Sequence, residues 1–106
     1  MISDILQKII EVNKKDPRKN MTVSDKMVKL QEEVGEIATA HLKELNLKPR
    51  AEGASTFSVR ENKKEEYADA LIVILDLILA DGFSFEEIEE EMQKGIKKWY
   101  KKIINL

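Results

Sequence analysis

From Ala70 to Ala80 the chain reads Ala-Leu-Ile-Val-Ile-Leu-Asp-Leu-Ile-Leu-Ala, with Asp76 as the only polar residue. The run is well short of the roughly 20 residues a membrane-spanning helix needs. It predicts a helix that is apolar around nearly its whole circumference, and such a helix must be covered by protein on all sides. A chain of 106 residues is enough for one domain over 1–106, since domains hold on the order of 100 to 150 residues. Its other helices are too few to surround that run. The expected architecture is therefore all-α, an antiparallel helical bundle of about four helices completed by oligomerisation into a homodimer or homotetramer.

Gly (4) and Pro (2) are scarce and charged residues make up 36% of the chain, a balance that suits long amphipathic helices. A first helix is predicted from Ile2 to about Lys14, ending before Asp16-Pro17 because the residue before proline avoids helical angles. A second starts at the capping-box pattern Thr22-Val-Ser-Asp25 and runs to about Leu47, with Leu30, Val34, Ile37, His41 and Leu45 as its stripe. Lys48 to Phe57 reads as a loop. Ser58-Val-Arg-Glu61 predicts the cap of a third helix that stops at Gly82, and Ser84-Phe-Glu-Glu87 opens a fourth.

The 18 basic and 20 acidic residues nearly cancel, so no global field draws the protein to nucleic acid or to an anionic membrane. No cysteine is present, which excludes disulfides and zinc-thiolate sites. With no basic-then-apolar N-terminal segment, the expected compartment is the cytoplasm.

The chemistry lies in two acidic patterns. Helix two carries Glu32-Glu33-Val-Gly-Glu36 and helix three Glu65-Glu66-Tyr-Ala-Asp69. Residues three apart lie about 60° from each other on a helix, so Glu33 with Glu36, and Glu66 with Asp69, each present two carboxylates to one side. Relative to Leu30, Glu33 and Glu36 fall on the shoulder of the helix-two stripe. Asn62, Glu66, Asp69, Val73, Asp76 and Ala80 line one side of helix three. Like charges at the edge of a core persist only if protonated, paired or bound to metal. Four oxygen ligands without His or Cys suit Mg²⁺ or Mn²⁺. The bland alternatives are a solvated acidic face on helix two and, on helix three, first-turn acids favoured by the helix dipole, which accounts for Glu61 and Glu65 better than for the deeper Asp69.

Leu30-Gln-Glu-Glu-Val-Gly-Glu-Ile37 followed by Glu65-Glu-Tyr-Ala-Asp-Ala-Leu71 resembles the EExxE…ExxD signature of the MazG-like all-α nucleoside triphosphate pyrophosphohydrolases. The order of elements is similar from about Met27 to Lys98. The resemblance implies that Glu33, Glu36, Glu66 and Asp69 bind Mg²⁺ and that Glu32 orients or deprotonates water. It implies hydrolysis of a (deoxy)nucleoside triphosphate to the monophosphate and pyrophosphate, a house-cleaning of the nucleotide pool. The stretch from Ile37 to Glu65 is slightly longer than is typical for the family. Where relatives often show Lys and Asn near the phosphates, this chain has Lys94-Gly95.

Arg60, Lys94, Lys98 and Trp99 are the weaker candidates for substrate binding, set against ordinary surface charge and packing; Arg50, Lys97 and Tyr100 stand beside them. His41 reads as a hydrogen-bonded core residue. Asp76 is either an outer support of the metal site or an interface partner. Two other classes of function compete with the enzyme: a non-catalytic helical oligomer, and a regulatory protein that binds nucleotides without turnover. A di-iron bundle is disfavoured, since the residue three before His41 is Ala38 and no Glu-x-x-His pair exists.

Overall fold

The computed structural model describes residues 2–16 and 21–105, and among these the helices are α1 (Ile2–Lys15), α2 (Val23–Glu44), α3 (Thr56–Ala80) and α4 (Phe85–Ile104), with no strand. The all-α class is as expected. Pro17, the expected stop of the first helix, lies outside the described residues.

Each of the three later helices begins at a reciprocal capping box. At α2, Thr22 Oγ1 accepts the Asp25 amide at 3.0 Å and the Asp25 carboxylate accepts the Thr22 amide at 2.9 Å. The Thr22 backbone amide, more than its side chain, holds the Asp25 carboxyl below its ordinary range. At α4, Ser84 and Glu87 make the same exchange, at 3.2 and 3.5 Å.

The cap of α3 is a correction. The helix is opened by Ser55, not Ser58: Ser55 Oγ accepts the Ser58 amide and Ser58 Oγ accepts the Ser55 amide, both at 3.0 Å. Two serines three apart form the box without an acid, so Glu61 is left inside the helix, where it pairs with Lys64 at 2.7 Å.

The end of α2 also differs from expectation. It stops at Glu44 because Asn46 adopts a φ of 60° and the amides of Leu47 and Asn46 return to the carbonyls of Leu42 and Lys43 at 2.8 and 3.2 Å. Asparagine tolerates this left-handed position, so the helix closes in a Schellman turn before Lys48-Pro49 is reached. Arg50 completes the stop by donating to the carbonyls of Lys43 and Glu44 at 2.8 and 3.0 Å. At the far end of α3 the expected glycine stop forms: Gly82 has a φ of 89°, and Phe83 and Gly82 donate to Ile78 and Leu79 at 3.2 and 3.1 Å.

α2 and α3 form the main packed pair. Residue numbers that rise along α2 meet numbers that fall along α3: Lys26 contacts Asp76, His41 contacts Lys63 and Glu44 contacts Arg60. The pair is therefore antiparallel. The inward face of α2 is Leu30, Glu33, Ile37, Ala40 and Glu44, whereas Val34 and Leu45, expected on it, are 53% and 52% exposed. The small Ala40, 1% exposed, lets α3 approach on that side. Glu33 is thereby inside the seam and not on its shoulder.

α1 crosses α3 through buried Ile9 and through Asn13, which donates to Asp76 at 2.5 Å. Asp76 also takes the Lys26 ammonium at 2.6 Å, so it pairs within the chain and joins three helices. α4 packs against α3 alone, and no residue of it is buried. No helix among the described residues is long and apolar enough to cross a membrane.

An N-cap serine contributes about 1 kcal/mol. Ser55→Ala is expected to lower stability by about that much in urea unfolding, while Glu61→Gln, which would matter if Ser58 were the cap, is expected to stay close to wild type. The opposite ranking would place the start of α3 at Ser58.

Candidate functional site

The antiparallel register sets the first acidic pattern opposite the second. One carboxylate oxygen each from Glu33, Glu66 and Asp69 lie within 4.8 Å of one another. Glu33 is buried at 6% exposure, Glu66 is half-buried and Asp69 is exposed, so the cluster runs from the seam out to solvent. Glu36, one turn after Glu33, is exposed; its carboxylate adjoins Glu66 and is not within the trio.

Two oxygens decide the character of the cluster. Glu33 Oε2 and Glu66 Oε2 are both buried and have no hydrogen-bond partner among the described residues. Leaving a buried carboxylate oxygen unsatisfied costs on the order of 1–3 kcal/mol or more. The other oxygen of Glu33 receives the Lys29 ammonium at 3.1 Å, and Lys29 also lies 3.9 Å from Glu32. The Glu33 carboxylate, first through its hydrogen bond, raises the Lys29 ammonium above its usual range. One lysine facing this many acids leaves the site short of positive charge. Burial pushes the Glu66 carboxyl up from 4.5, and the neighbouring carboxylates of Glu36, Asp69 and Glu33 push in the same direction. A set of hard oxygen donors with orphaned lone pairs and excess negative charge fits a divalent cation such as Mg²⁺ or Mn²⁺.

Comparison with protein-family models, curated proteins and solved structures returns no match. The site is therefore read from its own residues. Glu32 projects to solvent beside the trio, its side chain 60% exposed. Arg60 donates to both oxygens of Glu44 at 3.1 Å and is engaged there, lowering the Glu44 carboxyl below its ordinary range. Lys94, Lys98 and Trp99 stand exposed on α4, which packs against α3 and touches neither α1 nor α2; Lys94 pairs with Glu91 at 3.1 Å.

Three side chains of this region were not singled out in the sequence. Lys29 had a signal, the i,i+4 spacing to Glu33. Lys26 and Lys63 had none, because their importance comes from α3. Lys63 is buried, with its ammonium 2.9 Å from His41 Nδ1 and 3.5 Å from Glu44. The expected hydrogen bond of His41 is thus present, but on an exposed residue and not in a core.

Beside the acids lies a groove of about 780 Å³ between α1, α2 and α3, lined by Asn13, Met21, Lys26, Lys29 and Val73 among others. Lys29 borders both the groove and Glu33.

A carboxyl whose pKa is raised on folding binds its proton more tightly in the folded state. Its contribution to stability is full below 4.5 and is lost as the pH rises through the raised value. Without divalent cations, Glu66→Gln is expected to gain stability relative to wild type as pH rises from about 4 to about 8. Thermal melts across that range check this; a difference independent of pH would contradict it.

Proposed function

We propose that this chain is a divalent-metal-dependent nucleoside triphosphate pyrophosphohydrolase of the MazG-like kind, which hydrolyses a (deoxy)nucleoside triphosphate to the monophosphate and pyrophosphate. The observation that carries the reading is the meeting of the two acidic patterns across α2 and α3, with buried oxygens of Glu33 and Glu66 left without partners. Glu33, Glu66 and Asp69, joined by Glu36, are the residues that would hold Mg²⁺ or Mn²⁺. Such an ion supplies neutralisation of phosphate oxygens and makes nearby water more acidic.

The remaining roles fall to the chain itself. Lys29 holds Glu33 in place through its 3.1 Å contact. Glu32, adjacent in sequence and open to solvent, takes the proton of the attacking water. That water adds to the α-phosphorus, the bond from the α-phosphorus to the bridging oxygen breaks, and pyrophosphate departs. The neighbouring groove, about 780 Å³, falls in the range of small-molecule sites. Of its lysines, Lys26 and Lys29 are engaged by Asp76 and Glu33, so Lys14 is the one that suits an anionic substrate, and Met21, Val73 and Leu79 supply apolar surface for the nucleoside.

With Mg²⁺ and ¹⁸O-labelled water, the label is expected in the monophosphate. Label only in pyrophosphate, or a diphosphate product, would overturn the mechanism, and binding without turnover would favour a regulatory nucleotide-binding protein. Glu33→Gln and Asp69→Asn are expected to abolish both turnover and the rise in melting temperature caused by Mn²⁺, because a ion that binds only the folded state stabilises it by mass action. Glu32→Gln is expected to keep the metal-induced shift and lose turnover.

A further inference from the structure

We infer that α4 is the docking surface for a second copy of this chain, laid antiparallel to its own counterpart about a two-fold axis near Gly95. This inference does not depend on the hydrolase reading.

α4 carries Ile88, Met92, Ile96, Trp99 and Ile103 at spacings of three and four, which places them on one stripe. In one chain that stripe has no cover: Met92, Ile96, Trp99 and Ile103 are all more than half exposed, and Trp99 reaches 66%. A helix with so marked an apolar face forms in order to bury it.

The area agrees. The chain exposes 8558 Å², whereas a folded monomer of its 12.2 kDa exposes about 6,100 Å² by the usual scaling with mass. The surplus of roughly 2,500 Å², shared between α4 and the exposed apolar residues of α1 and α3, leaves enough uncovered area for an α4 pair to bury. The radius of gyration tells the same story, at 17.3 Å against about 13 Å for a compact chain of this length.

Charge identifies the occupant. Five glutamates lie between positions 86 and 91, and five lysines between 94 and 102, so α4 is acidic in its first half and basic in its second. Two such helices side by side in parallel would set like charge on like. Reversed, each acidic half meets a basic half, and the reversal about Gly95, at the middle of the helix, is the two-fold operation of an isologous dimer. A partner bearing this same polarity in reverse is supplied by the chain itself.

The experiment uses the full chain at tens of micromolar, with mass read by light scattering and the emission of Trp99, the only tryptophan. Wild type is expected at twice 12.2 kDa, with emission that shifts to the blue as concentration rises through the dissociation constant. Glu89→Lys with Glu91→Lys makes the helix predominantly basic, and Lys98→Glu with Lys102→Glu makes it predominantly acidic. Each variant alone is expected to self-associate at least about tenfold more weakly. Mixing the two in equal amounts restores the dimer, and so does the chain carrying all four changes, which an antiparallel pair requires. Circular dichroism on each variant verifies that the helices remain. A wild-type particle of 12.2 kDa, charge variants that dimerise as well as wild type, or a four-fold variant that stays monomeric would each overturn the proposal.

Discussion

The seam between α2 and α3 is the constraint on which the rest depends, because it buries charge along most of its length. At one end Asp76 takes Lys26 and Asn13; at the other Glu44 takes Arg60, with Lys63 set between Glu44 and His41. Each end is compensated, as partly buried charge must be. The middle is not. There Glu33, Glu66 and Asp69 come together with Lys29 as the nearest cation, and two buried oxygens have no partner. That uncompensated middle is what the proposed cation site rests on.

That arrangement requires the register to be held to within a turn, and the caps do much of this. Ser55 starts α3 and Asn46 with Arg50 ends α2, so the connection from 45 to 55 is closed tightly at both sides. Asp76 acts at the other end, where one carboxylate receives groups from two different helices. Slipping α3 by one residue would rotate Glu66 by about 100° out of the seam, and the ionic contacts at both ends would be lost together.

The apolar core is small for a helical chain of this size. Ile9, Ala40, Val59 and Leu77 are its buried members, and no large side chain is fully enclosed among the described residues. Much of the apolar surface lies outside, on α4 and on the outer side of α3 at Leu71 and Ile72. The division of labour follows: polar contacts specify how α1, α2 and α3 meet, while hydrophobic area remains available for assembly. Hydrophobic burial is non-directional and suits the larger surface; ion pairs have geometry and suit the register.

Periodicity and capping chemistry, both local, were enough to read the all-α class, the α2 and α4 starts and the Gly82 stop from the sequence. The two acidic patterns were legible for the same reason, since residues three apart share a helix side in any α-helix. Local chemistry misassigned the start of α3 only where two serine boxes overlapped, and it overran α2 because Asn46 can either continue a helix or end it. What sequence could not decide was which side of α2 faces α3. Apolar spacing favoured Val34 and Leu45; packing chose Glu33 and Ala40, because close approach depends on the small size of residue 40 and on the charges α3 presents. Lys26, Lys63 and Asp76 acquired partners for the same reason, more than twenty residues away along the chain. Helical geometry is set by neighbours within four residues, whereas the compensation of a buried charge depends on whatever the fold brings beside it, and that is known only once the helices are packed.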